Sequence, residues 1–288
     1  MLFSISLGME LRNQAEYVKH RTNCQLKSLY VMMIKNSVIV QIYEIQTPHE
    51  AEKLIGLGVD HIGSVVVSKA AWKISKIRET IRLLTPTQSR SSLILLFNDL
   101  NSVLRALDYY QPDIIHFCES LTLNNGTRRD CAKLILMQKK VKAKFPEIKI
   151  MRSIPIPQPG LAECISITEL ARLFEPSSDY FLTDTLLIKP GEAAAIQQPV
   201  SGFIGITGQT CDWEAARSLV AASTIPVILA GGISPENVAD GLDQVQPAGI
   251  DSCTGTNVLD SDGHTVRFKK DFSKVQRLVE NVRRAGRL

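Results

Sequence analysis

Residues 37–58 read SVIVQIYEIQTPHEAEKLIGLG, a β-branched run that passes directly into a capped amphipathic helix. Val38, Ile39, Val40, Ile42 and Ile45 make the first part almost continuously apolar, as a parallel strand covered on both faces requires. Thr47-Pro48-His49-Glu50 is a capping box with proline at the first helical position, so a helix starts there. Ala51, Leu54 and Ile55 keep helical spacing, and Gly56-Leu57-Gly58 stops the helix because glycine accepts the left-handed backbone of a C-cap. One missing motif then separates two folds. An open dinucleotide-binding sheet carries a glycine-rich turn after its first strand, and Glu44-Ile45-Gln46-Thr47 contains no glycine.

Outward from this unit the alternation repeats. Further β-branched runs lie at His61–Val67, Ser91–Phe97, Asp113–Cys118, Ile148–Ile154, Asp179–Asp184, Pro226–Ala230 and Gly249–Thr254. Apolar residues at helical spacing fall between them, as with Ile74, Ile77, Ile81 and Leu84. Eight β-α units in about 250 residues predict a (β/α)8 barrel, the TIM barrel. The barrel is expected as a single domain over residues 34–288. Residues 1–33 are mixed and polar without a strong period, and read as a poorly ordered N-terminal extension. Two segments exceed a minimal barrel, Leu121–Asp130 after strand four and Thr185–Pro199 after strand six. Both follow strand C-termini, the catalytic face of such barrels, and are candidate lids or specificity loops.

Composition narrows the function classes. The 288 residues are 44% hydrophobic and 22% charged with a formal net charge of +4, too apolar and too balanced for a disordered chain. No apolar run reaches the roughly 18 residues of a membrane span. Thirty-three basic against 29 acidic residues, spread along the chain, leave no nucleic-acid footprint. The six cysteines lie far apart, with no CxxC pair and no histidine at ligand spacing, so neither a metal site nor a disulfide framework is expected. The opening MLFSISLGM lacks the basic start of a secretory signal. The expected setting is the cytoplasm, without metal or redox cofactor and without a nucleic-acid or membrane partner.

Three glycine-bearing stretches carry the chemistry. Pro226–Val238, PVILAGGISPENV, sets a buried strand, the pair Gly231-Gly232, and Ser234-Pro235 as N-cap and first helical residue. Paired glycines let backbone N–H groups approach an anion beside a helix N-terminus, and barrels often hold phosphate beyond strands seven and eight. A tight turn is the plainer use of the same glycines. Gly249–Thr256, GIDSCTGT, adds backbone and hydroxyl donors at Thr254 and Gly255 to the same anion. Gly205–Trp213, GITGQTCDW, contributes Gly208 in a loop leading to a helix, and its lack of lysine excludes a Walker-type nucleotide site.

PVILAGGISPENV, GIDSCTG and GITGQTCDW together resemble the C-terminal half of the phosphoribosylanthranilate isomerase family, whose patterns are close to PVILAGGLxPENV, GVDxSSG and GGTGKTFDW. IQTPHEAEKLIGLGVDHIGSVV resembles, more loosely, the family's ITxPEDAxxAxxxGADxIGFVF, so the likeness spans about Val38 to Arg284. It implies a tryptophan-pathway barrel performing an Amadori rearrangement, an aldose-to-ketose isomerisation of a phosphoribosyl amine. That reaction needs a general acid on the ring oxygen and a general base for the C2′ proton. Asp184 in FLTD matches the family's general-acid aspartate. The same alignment sets Tyr43 where the strand-one KxCG pattern has its general-base cysteine, and Glu44 where it has glycine. The arginine that grips the anthranilate carboxylate falls near Trp72, with Lys69 and Lys73 adjacent. A phenol near pKa 10 is a weak base at neutral pH. Glu44 is therefore the leading candidate base, with pairing to a surface lysine as its other reading. His116, His61, Cys118 and Cys253 read as core groups.

The expected ligand is thus a phosphorylated sugar, held by Gly208, Gly231, Gly232, Thr254 and Gly255, flanked by Trp72, with Asp184, Glu44 and Tyr43 at the reacting end. A different phosphosugar enzyme and a non-catalytic phosphate-ligand-binding protein are the alternatives. The chain is expected as a monomer or homodimer.

Overall fold

The computed structural model describes residues 38–123, 125–188 and 198–286; the segment expected as an extension lies outside them. Eight parallel strands close into one barrel in the order β1 to β8, each paired with its sequence neighbours and β1 with β8. They are β1 (Ile39–Ile42), β2 (His61–Val66), β3 (Arg90–Leu95), β4 (Ile114–Phe117), β5 (Lys149–Pro157), β6 (Tyr180–Leu186), β7 (Val227–Leu229) and β8 (Gly249–Ser252). The helices between and after them are α1 (Pro48–Gly56), α2 (Ser75–Leu84), α3 (Leu100–Tyr110), α4 (Ala132–Lys144), α5 (Ile167–Phe174), α6 (Trp213–Ala222), α7 (Val238–Val245) and α8 (Phe272–Ala285). No helix among the described residues is long and apolar enough to cross a membrane.

Local chemistry sets the boundaries. Thr47 caps α1 by accepting from the Glu50 N–H at 3.3 Å, and its hydroxyl donates to Glu50 Oε2 at 2.7 Å. Gly58 takes φ +79° just beyond that helix, as a C-terminal glycine should. Ser234 does not open α7 directly. Its Oγ accepts from the Glu236 N–H at 3.2 Å while its N–H donates to Asn237 Oδ1 at 2.9 Å, so a turn precedes the helix at Val238. The outer faces of the strands pack on the helices through aliphatic clusters. Leu93, Leu95, Ile115 and Ile150, for example, meet Ile77, Ile81, Val103 and Leu107.

Two features depart from the expected pattern. β5 and β6 run in register to Pro157 and Leu186, so Asp184 pairs with Pro155 two residues before the strand ends. Of the expected lid over 185–199, Thr185 and Leu186 belong to β6, and residues 189–197 lie outside the described residues. Between β8 and α8 stands an antiparallel hairpin, β9 (Asn257–Leu259) and β10 (Thr265–Lys270), with a register shift inside β10. It turns through Asp260–Gly263, where the Gly263 N–H donates to Asp260 O.

The barrel lumen is polar. The Tyr43 hydroxyl lies 2.6 Å from Ser92 Oγ and 2.8 Å from His116 Nδ1, and His116 Nε2 lies 2.8 Å from Ser153 Oγ. A second chain joins His61 Nδ1 to Gln41 Oε1 at 3.0 Å, while Gln41 Nε2 donates to Asp251 Oδ1 at 3.0 Å. Gly63 makes room for this layer, because a Cβ there would collide with the Tyr43 ring.

Candidate functional site

At the C-terminal end of the barrel a cavity opens to solvent, a concave site of mixed polar and apolar lining such as small molecules occupy. Its walls are of two kinds. Gly208, Gly231, Gly232, Thr254 and Gly255 line one side, and Tyr43, Glu44, Asp184, Asp251 and Arg267 contribute polar groups elsewhere. Val65, Ile94, Leu96 and Phe203 form an apolar part of the lining.

The glycine side is built by backbone touching backbone. A Cβ on Gly232 would stand 2.7 Å from the Gln209 carbonyl carbon and the Thr210 nitrogen; one on Gly255 would collide with Ile233 O. One on Gly231 would strike the Thr185 hydroxyl. Only hydrogen at these positions lets the loops after β6, β7 and β8 converge. Gly208, Gly231 and Gly232 also take φ values of +67°, +92° and +62°, a region open to glycine at no steric cost. Among the described residues, no acceptor pairs with the N–H of Gly208, Gly231, Gly232 or Gly255. Convergent backbone donors of this kind form an anion-binding concavity. Five expected ligand residues therefore meet in one place.

Asp184 projects from β6 into the cavity and accepts from its neighbour's Thr185 N–H at 3.1 Å. Gly205, at φ +97°, lies against it, since a Cβ there would collide with the carboxylate. The segment carrying Gly205 is held by pairing with the chain after β4, where the Ile204 N–H donates to Cys118 O and the Ser120 N–H to Gly202 O. Beneath that segment the wholly buried Arg152 donates to Glu119 Oε2 at 2.6 Å and to Gln138 Oε1 at 2.7 Å. A charge buried so deeply persists only when paired this way.

Burial, with a further push from Asp251, lifts the Asp184 carboxyl to about 8. Burial likewise lifts Asp251 to about 7, against the lowering effect of the Gln41 hydrogen bond and the Lys270 charge. Two carboxyls thus titrate near neutrality in one cavity. Asp251 was not singled out from the sequence. Its signal was present: an acid in a strand that is buried throughout has no packing reason to be there.

The other titratable groups are set differently. Burial drives the Tyr43 phenol well above 10 and His116 down to about 3, so both are neutral, and the hydrogen bonds of Tyr43 go to Ser92 and His116. Burial also raises the Cys118 thiol well above its usual value and pushes Cys253 up to about 12. For Glu44 burial acts upward, but the Phe268 N–H, Arg267 and Lys270 outweigh it and hold the carboxyl below its usual range. Its Oε1 receives Arg267 Nε at 2.7 Å, with Nη2 also 2.7 Å away, and its Oε2 receives Asn257 Nδ2 at 3.1 Å and the Phe268 N–H at 3.0 Å. Three hydrogen bonds and the adjoining guanidinium charge hold the carboxylate ionised and commit both its oxygens. Neither Tyr43 nor Glu44 has the form of the expected base. The expected partner for Glu44, a surface lysine, is instead Arg267 of β10.

Trp72 is absent from the cavity lining. It is half-buried against Tyr109 and Tyr110 on the outside of the barrel, with its ring 5.3 Å from Arg105 and Lys73. The segment before α2 turns outward because Tyr110 hydrogen-bonds both Trp72 O and the Ile74 N–H. Asp260, Asp262 and His264, which together have metal-ligating atoms in reach, sit exposed on the hairpin turn, outside the cavity.

Comparison with known proteins agrees with this architecture. The family model for N-(5'phosphoribosyl)anthranilate (PRA) isomerase matches residues 175–281. The N-(5'-phosphoribosyl)anthranilate isomerase of Methanosarcina acetivorans is 26% identical over 255 residues, 85% of this chain and 92% of that protein. That of Haloferax volcanii is 40% identical over 98 residues, 33% of this chain and 38% of that protein. A crystal structure of phosphoribosyl anthranilate isomerase in complex with reduced 1-(o-carboxyphenylamino)-1-deoxyribulose 5-phosphate superposes with a TM-score of 0.59 at 18% identity, covering 85% of this chain and 98% of that one. With the glycine-lined cup and the β6 aspartate in place, the chain is similar to N-(5'-phosphoribosyl)anthranilate isomerases over most of its length and shares their barrel fold.

Proposed function

We propose that this protein isomerises N-(5'-phosphoribosyl)anthranilate in tryptophan biosynthesis, with Asp184 as general acid and Asp251 as general base. The phosphate sits in the cup of Gly208, Gly231, Gly232, Thr254 and Gly255, as a sugar phosphate of the kind bound by the relative crystallised with its ligand. Asp184, at about 8, is protonated at neutral pH and gives its proton to the furanose ring oxygen as the C1′–O bond breaks and the amine lone pair forms C1′=N. Asp251, at about 7, takes the C2′ proton, and the electron pair of that C–H bond forms C1′=C2′ as the C1′=N π pair returns to nitrogen. Reprotonation at C1′ and loss of the enol proton yield the ketone, so hydrogen is moved and nothing is oxidised overall. A base poised near the working pH is the efficient choice. No such group exists at Tyr43, His116, Cys118 or Cys253.

The observation that carries this reading is the pair of buried carboxyls in the phosphate-facing cavity. Separating the two members of such a pair in pKa is how one site supplies both an acid and a base. A binding-only protein has no use for that arrangement. Such a biosynthetic enzyme fits the cytoplasm. Complementation of an isomerase-deficient tryptophan auxotroph tests it. Wild type is expected to restore growth and D184N to fail, and failure of a well-expressed wild type would sink the proposal.

A further inference from the structure

The substrate in this reading has two anionic ends, and the glycine cup accounts for only one. We infer that Arg267, carried on the β9–β10 hairpin, grips the ring carboxylate of the aminobenzoate half of the substrate. The inference rests on the isomerase reading above.

Among the described residues lining the cavity, Arg267 is the one cationic side chain. It reaches there by a local irregularity. Thr265 pairs with Leu259 and Lys270 with Asn257, so the intervening stretch of β10 holds more residues than its partner strand, and Phe268 within it takes φ +59°. A bulge of this kind re-aims a side chain, here toward the mouth of β1. Glu44 meets it there, itself at φ +68°, a conformation that costs a non-glycine residue strain retained at functional positions. The Arg267 Nε–H donates to Glu44 Oε1, with Nη2 2.7 Å from the same oxygen, which fixes the guanidinium and leaves its Nη1 without a contact to that carboxylate.

Lys270 Nζ donates to Asn257 Oδ1 at 2.6 Å, and Asn257 in turn donates to Glu44. Arg267 and Lys270 therefore both flank the single carboxylate of Glu44 at this corner. Val65, Ile94, Leu96 and Phe203 supply apolar surface in the same cavity for an aromatic ring. Arginine presents a planar fork that matches a carboxylate.

Calorimetry with two probes and their variants tests this. The probes are reduced 1-(o-carboxyphenylamino)-1-deoxyribulose 5-phosphate and the same compound without its ring carboxylate, with ribose 5-phosphate as reference. On wild type, removing the ring carboxylate is expected to weaken binding about 10- to 100-fold, the range of a charge-assisted contact. R267A is expected to weaken the carboxylated probe by a similar factor, to leave the decarboxylated probe and ribose 5-phosphate within about threefold, and to raise KM far more than it lowers kcat. E44G, which relieves the left-handed backbone while freeing the guanidinium, is expected to weaken the carboxylated probe by an intermediate factor. Equal binding of the two probes by wild type overturns the inference without any variant, as does a folded R267A that still discriminates between them. If wild type binds ribose 5-phosphate but neither aromatic probe, the isomerase reading fails and takes this inference with it.

Discussion

One side of the cavity mouth is closed by hydrogen atoms and the other by charges. Where the loops after β6, β7 and β8 meet, Gly231, Gly232 and Gly255 let backbones touch, and among the described residues no backbone acceptor takes their N–H groups. Where β1 meets the hairpin, Glu44, Arg267, Asn257 and Lys270 form a hydrogen-bonded cluster that spends two left-handed non-glycine residues to hold its shape. The first arrangement tolerates almost no substitution and depends little on side-chain identity. The second is made mostly of side chains and can be exchanged for another set while the barrel stays intact. A phosphate, common to many ligands, suits the first; the part of a ligand that distinguishes it suits the second.

The largest effect is expected between the two sides, at Asp184. D184N removes the transferable proton and keeps the shape, so kcat should fall by about 10³-fold, within the span of general acid catalysis, while affinity for the reduced product analogue stays within a few-fold. Steady-state turnover and calorimetry on the same preparation check this. A variant that keeps wild-type kcat would remove Asp184 from the chemistry. In wild type, kcat/KM should be bell-shaped, rising as Asp251 deprotonates near 7 and falling as Asp184 does so near 8. Because the two carboxyls interact, the limbs belong to the pair rather than to either residue.

Next in size is the glycine cup. G232A places a Cβ 2.7 Å from the Gln209 carbonyl carbon and the Thr210 nitrogen at φ +62°, and neither backbone atom can swing aside as a side chain would. Strain of about 1–3 kcal/mol should part the loops and weaken ribose 5-phosphate at least tenfold, whereas R267A leaves that ligand alone. Equal loss in both variants would mean that the two halves of the mouth are one mechanical unit, and the comparison would dissolve.

A smaller effect concerns stability. The Asp184 carboxyl is raised in the folded chain, so the fold holds its proton more tightly than the unfolded chain does. Its contribution is fully present below the unfolded pKa near 4 and is lost as pH rises toward about 8. D184N, which never ionises, should therefore match wild type near pH 4 and be more stable by on the order of 1–3 kcal/mol at pH 9. Denaturant midpoints at the two pH values decide it. A difference that is largest at low pH would reverse the sign of the argument.

The barrel and its glycine cup were legible in the sequence because both are written in local patterns. The T-P-H-E box, the continuous apolar strands and PVILAGG each describe a structure that neighbouring residues make among themselves. The β1 corner was not, since Glu44 and Arg267 are far apart in the chain and only closure of β1 against β8 joins them. A cue existed in Asp262-Gly263, followed by the alternating Thr265-Val266-Arg267-Phe268, the mark of a hairpin. Read as part of a last β-α unit, it concealed the insertion. Trp72 misled for a related reason. Proximity to a strand end suggested the cavity, but Tyr109 and Tyr110 of α3 offered a larger aromatic surface outside.

Tyr43 tests how far the rebuilt side extends inward. The resemblance sets it where the family pattern has its base, yet its hydroxyl is committed to Ser92 and His116 and its pKa is driven upward by burial. If Tyr43 only braces the lumen, Y43F should lower stability by about 1 kcal/mol, the net worth of a hydrogen bond plus some penalty at its abandoned partners. Both kcat and the two pH limbs should stay within about threefold, because Asp184 and Asp251 keep their surroundings. Loss of turnover in a folded Y43F, with the limb near 7 displaced upward, would instead place a phenol in the proton path. It would also mean that the lumen network relays charge to the cavity rather than merely filling the barrel.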